Sequence, residues 1–136
     1  VAKTVLTQCF ISLNATDISS YVTKVELPIE ADPQETTTYG DAGWKTFLGG
    51  LKSATLDLDL LNDVAAAALD SILFPLLGTV VTFEVRVSNA VVGTSNPKYT
   101  GSVLVNKHQP VGGSIGNVNG FSLSLPISGA VARAVA

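Results

Sequence analysis

One histidine, His108, and one cysteine, Cys9, are all that this chain of 136 residues offers for imidazole or thiol chemistry. They stand in unrelated settings, Cys9 in an apolar strand-like run and His108 beside Lys107, Gln109 and Pro110, so no Cys/His nucleophilic pair is read. Clusters with metal-ligand spacing are absent from the sequence. Serines and eleven carboxylates could complete a triad on His108, but no nucleophile elbow is read around any serine. His108 therefore reads as a solvated loop residue. The stretch Gly112-Gly-Ser-Ile-Gly-Asn-Val-Asn-Gly120 lacks the Lys-Ser/Thr of a phosphate loop and precedes a strand, so it reads as a hairpin or bulge. No catalytic, cofactor-binding or metal residue is assigned, no cofactor is expected, and the chain does not read as an enzyme.

Two other groups of side chains call for explanation. Between Ile29 and Ser53 the chain is too polar and too broken for core, yet it carries Tyr39, Trp44, Phe47, Leu48 and Leu51. A long inter-strand loop is expected over 31–52, and structureless loops beyond ~12–15 residues are usually functional or disordered. Disorder is poor in aromatics, whereas this segment holds the only tryptophan. Aromatics give large contact area at low rotamer cost, so the five residues read as a surface covered by another protein copy. The alternative is a flap folded over its own core. The second group is Asp57, Asp59 and Glu84, each alternating with apolar neighbours. Solvation alone explains any one of them. Together they suggest an acidic, Thr-lined sheet face that would repel DNA phosphates within a screening length of ~8 Å. Neutralising phosphates would instead give non-specific dissociation constants of ~10⁻⁴–10⁻⁶ M and hold a duplex in place.

The elements that must position these residues are mostly strands. Val5 to Leu13 reads as a first strand, Asn14-Ala-Thr-Asp17 as a turn, and Ile18 to Glu30 as its partner, with Pro28 marking an edge or bulge. Ser53 to Leu60 alternates cleanly, with Leu56, Leu58 and Leu60 on one face. Asn62 or Asp63 can cap a helix through Val64 to Phe74, which Pro75 and Gly78 end, giving one flanking helix at about 62–76. Val64, Leu69, Ile72 and Leu73 would pack it on a sheet. Further strands are expected at Thr79–Ser88, Tyr99–Asn106 and Phe121–Ile127, with a C-terminal arm over 128–136 and an N-terminal arm over 1–4. The expected fold is mainly β: a single-domain sandwich or open barrel of six or seven strands over residues 1–136.

Composition agrees with an assembling subunit. Hydrophobic residues make up 46% and charged residues 14%, against ~25% charged in ordinary soluble domains. No run approaches the ~18–20 apolar residues of a spanning helix, so no membrane partner is expected. Low charge without a span suggests subunits that bury much exterior against each other. Net charge is −3, and the eight lysines and arginines are scattered singly, which leaves no phosphate-gripping patch. A single cysteine allows no intrachain disulfide and points to synthesis in a reducing compartment.

Ile18-Ser-Ser-Tyr-Val-Thr-Lys-Val-Glu-Leu27, the Thr-Thr-Thr-Tyr-Gly-Asp segment with Trp44 and Phe47 to Ser53, and Phe74-Pro-Leu-Leu-Gly78 before a Val/Phe strand resemble the tail tube (major tail) proteins of long-tailed bacteriophages, especially those of actinobacterial hosts. The resemblance spans roughly Phe10 to Ile127. It implies a β-sandwich with a flanking helix that forms hexameric rings, stacked into a tube whose inner wall is a β-barrel. It also implies a long loop and termini reaching a neighbouring subunit or ring, tape measure and tail-end proteins as partners, DNA passing without specific binding, and synthesis in the host cytoplasm before residence in the virion. A capsid decoration (cement) protein is the alternative within the same structural class. A small hydrolase or carbohydrate-binding module is a third class, for which one histidine and one tryptophan supply little.

Overall fold

Leu56, Leu58 and Leu60 alternate with Thr55, Asp57 and Asp59, and this period of two belongs to the longest strand, β5 (Phe47–Leu61). In the computed structural model, which describes Lys3 and residues 5–136, the second half of β5 lies between β3 (Val22–Glu26) and β8 (Gly120–Pro126). Its first half pairs with β4 (Ile29–Glu35). The pairs Glu26↔Asp57 and Ile29↔Ala54 fall in one register, so β3 and β4 are one strand interrupted at Leu27-Pro28. Proline has no N–H to give the ladder there.

A second antiparallel sheet runs in the order β2 (Thr16–Asp17), β1 (Phe10–Leu13), β6 (Val80–Arg86), β7 (Lys98–Leu104) and β9 (Ala132–Ala134). The inner faces meet in one core, with Ile11, Leu13, Val81, Phe83 and Val103 from this sheet against Leu56, Leu58, Leu60, Phe121, Leu123 and Leu125 from the other. The molecule is thus a mainly β, sandwich-like fold, as expected, with one short helix and nine strands in two sheets among the described residues rather than six or seven, because β2, β4 and β9 add to those read from the sequence. That helix, α1 (Leu69–Leu73), continues into a 3₁₀ turn over Phe74–Leu76 and is anchored by buried Leu69 and Leu73.

The departures from expectation have local causes. The segment 31–52 is not a loop: it is a β-hairpin of β4 and the first half of β5, closed where the Thr36 N–H donates to the Thr46 carbonyl. Its backbone groups are satisfied by strand pairing while most of its side chains stay in solvent, so burial patterning cannot reveal it. The helix expected at 62–76 shortens to Leu69–Leu73 because the Asp63 carboxylate accepts from the Ala65 N–H and Ala67 takes a left-handed φ of 61°. Alanine's helical preference is only tenths of a kcal/mol over other residues and yields to this turn. Val64, expected in the helix packing, is exposed.

The first strand starts at Phe10 rather than Val5. A two-residue turn at Asn14-Ala15, both with positive φ, reverses it into only Thr16–Asp17. After a 3₁₀ turn at Ser19–Tyr21 the chain crosses to the other sheet, so the strand expected to partner β1 pairs with β5 instead. The C-terminal arm expected over 128–136 contains β9, which covers the edge of β7 through Thr100↔Ala132 and Lys98↔Ala134. Of the N-terminal arm expected at 1–4, Val1, Ala2 and Thr4 lie outside the described residues.

Candidate assembly surface

Strand β8 ends at the pair Thr55↔Pro126, so β5 continues past it for Phe47–Ser53 with only β4 beside it. At ~3.3 Å per residue this ribbon projects about 20 Å before the connecting tip begins. The tip at 36–46 is ordered by its own polar groups. Thr38 N–H donates to Asp41 Oδ2 at 2.7 Å, Trp44 N–H to the Asp41 carbonyl at 3.0 Å, and Thr46 N–H to Thr37 Oγ1 at 2.9 Å. Ala42 and Gly43 supply the positive φ of the turn. None of this uses the large side chains. Tyr39 is fully exposed, Trp44 is 79% exposed and Leu51 81%, and Phe47 and Leu48 are more than half exposed. All five predicted residues therefore lie on one projecting element and none folds over the core, which removes the flap alternative.

The three carboxylates are not brought together. Asp57 and Asp59 lie on the outer face of the β3–β5–β8 sheet, where Ser124 donates to Asp57 Oδ1 at 2.7 Å. Glu84 is on β6, on the outer face of the other sheet, where it pairs with Arg86 at 2.8 Å while the Arg86 guanidinium stacks on Phe10. β5 and β6 are consecutive in sequence but enter different sheets, so their outward faces look in opposite directions. The strand that does join the acidic pair is β3: Glu26 lies opposite Asp57 and Lys24 opposite Asp59, and Lys24 Nζ is 3.0 Å from Glu26 Oε1. The Glu26 hydrogen bond and charge, with Asp59 and Asp57 behind them, raise the Lys24 pKa above the ordinary lysine value. Three carboxylates thus share one face with Lys24, and Lys107 borders it.

His108 is not solvated. Its side chain is 1% exposed, set edge-on to Phe121 and Phe74, with Nε2 2.8 Å from Asp70 Oδ1. An ionised carboxylate only accepts, so Nε2 carries the proton and donates, while buried Nδ1 has no partner among the described residues. In a hydrolytic triad the base presents one ring nitrogen to the nucleophile and the other to the carboxylate. Here the carboxylate holds Nε2 and no hydroxyl is bonded to Nδ1. Ser114, in Gly112-Gly-Ser-Ile-Gly116, has the spacing of an elbow serine, which the reading of the sequence did not single out. It sits in a turn that leads to strand β8, not in a strand-to-helix bend. Among the described residues no group of His, Cys, Asp and Glu is placed to hold a metal ion, and no helix is long and apolar enough to cross a membrane.

No protein-family model matches the chain, and no curated protein does. Its architecture nevertheless has a counterpart among solved structures. The same fold occurs in a virion. A chain of the virion of a native gene transfer agent particle superposes with a TM-score of 0.74, over 93% of this chain and 95% of that one, at 19% sequence identity. The likeness covers both chains almost end to end, and at that identity it is one of fold.

Proposed function

We propose that the chain is a virion structural protein that assembles into hexameric rings, stacked as a phage tail tube through which DNA passes. The observation that carries this is the projecting hairpin with Trp44, Phe47, Leu48 and Leu51 in solvent, in a fold shared with a virion chain. Burying those side chains against a neighbouring copy would gain about 1.5–3 kcal/mol each. Both margins of the β3–β5–β8 sheet support lateral association, since β8 and the β3–β4 strand each pair with β5 alone among the named strands. Unpaired edges accept strands from neighbours, and six copies closing edge to edge would make a barrel. The Asp57/Asp59 face of that sheet would line the passage, and Glu84 would face outward. Tape measure and tail-end proteins are the partners at the tube ends.

Purified protein should form rings or tubes at high concentration, visible by negative stain. The Trp44→Ala/Phe47→Ala double variant should stay dispersed and melt as the unmodified protein does at dilutions where it too is dispersed. Tubes of normal length from that variant would remove the hairpin from its assigned role. Trimers, or monomers that bind only assembled heads, would favour the decoration protein.

A further inference from the structure

The strand β5 has two ends, and both meet solvent with apolar side chains. The hairpin tip lies beyond Phe47, and about 46 Å away, at ~3.3 Å per residue, Leu61 meets the loop that precedes β8. At this far pole Leu61 and Val64 are exposed, as are Val111 and Val118, and Ile115 is fully in solvent. From Pro110 to Phe121 the chain has no charged residue.

The far-pole loop is pinned. Asn62 Nδ2 and Asn119 Nδ2 both donate to the Pro110 carbonyl, at 2.8 and 3.0 Å, and Gly112 N–H donates to Asn119 Oδ1 at 2.8 Å. The Asn62 N–H donates to the Asn119 carbonyl and the Gly120 N–H to the Gly112 carbonyl, which ties the loop to the end of β5. A Cβ on Gly112 would meet the Gly120 carbonyl oxygen at 2.7 Å, so the close approach requires glycine. A polar network thus fixes an apolar, uncharged knob outward.

We infer that this knob is the receiving surface for the hairpin tip of a second copy, so that Trp44 and Tyr39 of one subunit cover Val111, Ile115 and Val118 of the next. Docking there desolvates no ionised group of the receiving loop, which leaves only Asp41 and Lys45 of the tip to be kept at the rim of the contact. Because the two surfaces differ and lie at opposite ends of one strand, the contact is head-to-tail and propagates along the strand axis. This rests on the tube assembly proposed above. The competing receptor is the apolar cleft of about 310 Å³ between the sheets, bordered by Cys9, Val25, Leu27, Val85 and Tyr99.

Disulfide trapping separates the two. Lys45→Cys and Ser114→Cys, each in a Cys9→Ser background, flank the contact without removing Trp44 or Ile115. Mixed and oxidised at assembling concentration, they should give covalent heterodimers, and a chain carrying both substitutions should give ladders. Tubes in which the two introduced thiols form no link would overturn this contact and leave the tube assembly standing. So would covalent dimers of Lys45→Cys with Cys9 retained, joined through that natural thiol beside the cleft. Ile115→Glu/Val118→Glu should abolish stacking while melting as the dispersed unmodified protein does, and normal tubes from it would likewise overturn the contact. Failure of the unmodified protein to assemble would overturn both.

Discussion

At the scale of single residues, His108 and Asp70 show how a buried polar group is accommodated in an apolar interior. The imidazole lies between two phenylalanine rings, and its one hydrogen bond goes to a carboxylate at the start of α1. Asp70→Ala should leave the Nε2–H without an acceptor and cost about 1–3 kcal/mol of stability, the penalty for stranding a buried donor. Urea denaturation at neutral pH checks this, with an unchanged slope showing that the midpoint alone has moved. Trp44→Ala should leave the midpoint of dispersed monomer unchanged within about 0.5 kcal/mol, because exposed positions make few native contacts. The contrast separates a side chain that holds the fold from one that the fold does not use.

At the scale of elements, the two halves of β5 divide the labour. The second half is core on one face and acidic on the other, and the first half is a ribbon outside the sandwich. Asp57→Lys/Asp59→Lys reverses two charges on the outward face without touching Leu56, Leu58 or Leu60. Assembled particles carrying it should eject DNA more slowly, by an amount that shrinks as salt rises, because cationic walls bind phosphate in a salt-dependent way. Unchanged ejection kinetics would show that this face lies away from the passage. Lys24 offsets these carboxylates throughout the neutral range. Its folded pKa is raised, so its ion pair contributes fully below the unfolded lysine value and fades only as pH climbs through the folded one. Mildly acidic or neutral buffers therefore leave that pairing intact.

At the scale of the whole molecule, a chain with 14% charged residues and a projecting hairpin of exposed apolar side chains accords with the proposed role as an assembling subunit. Assembly should raise the melting temperature in a concentration-dependent way, since association stabilises only the folded state. Scanning calorimetry across a hundredfold range of concentration checks this. The alternation in Ser53–Leu60, Thr79–Ser88 and Phe121–Ile127 marked part of the core from sequence alone (Leu56, Leu58, Leu60, Val81, Phe83, Val85, Phe121, Leu123 and Leu125), because one buried face leaves a period of two, although Val87, in phase with it, is exposed. The aromatic cluster was also visible there, as large side chains in polar surroundings. Only the tertiary structure decided that 31–52 is a hairpin, that Glu84 faces away from Asp57 and Asp59, that β9 closes a sheet edge, and that His108 is buried. Each of these depends on which distant strand or helix satisfies a backbone edge or a ring nitrogen. Such pairings are long-range and leave no period in the chain.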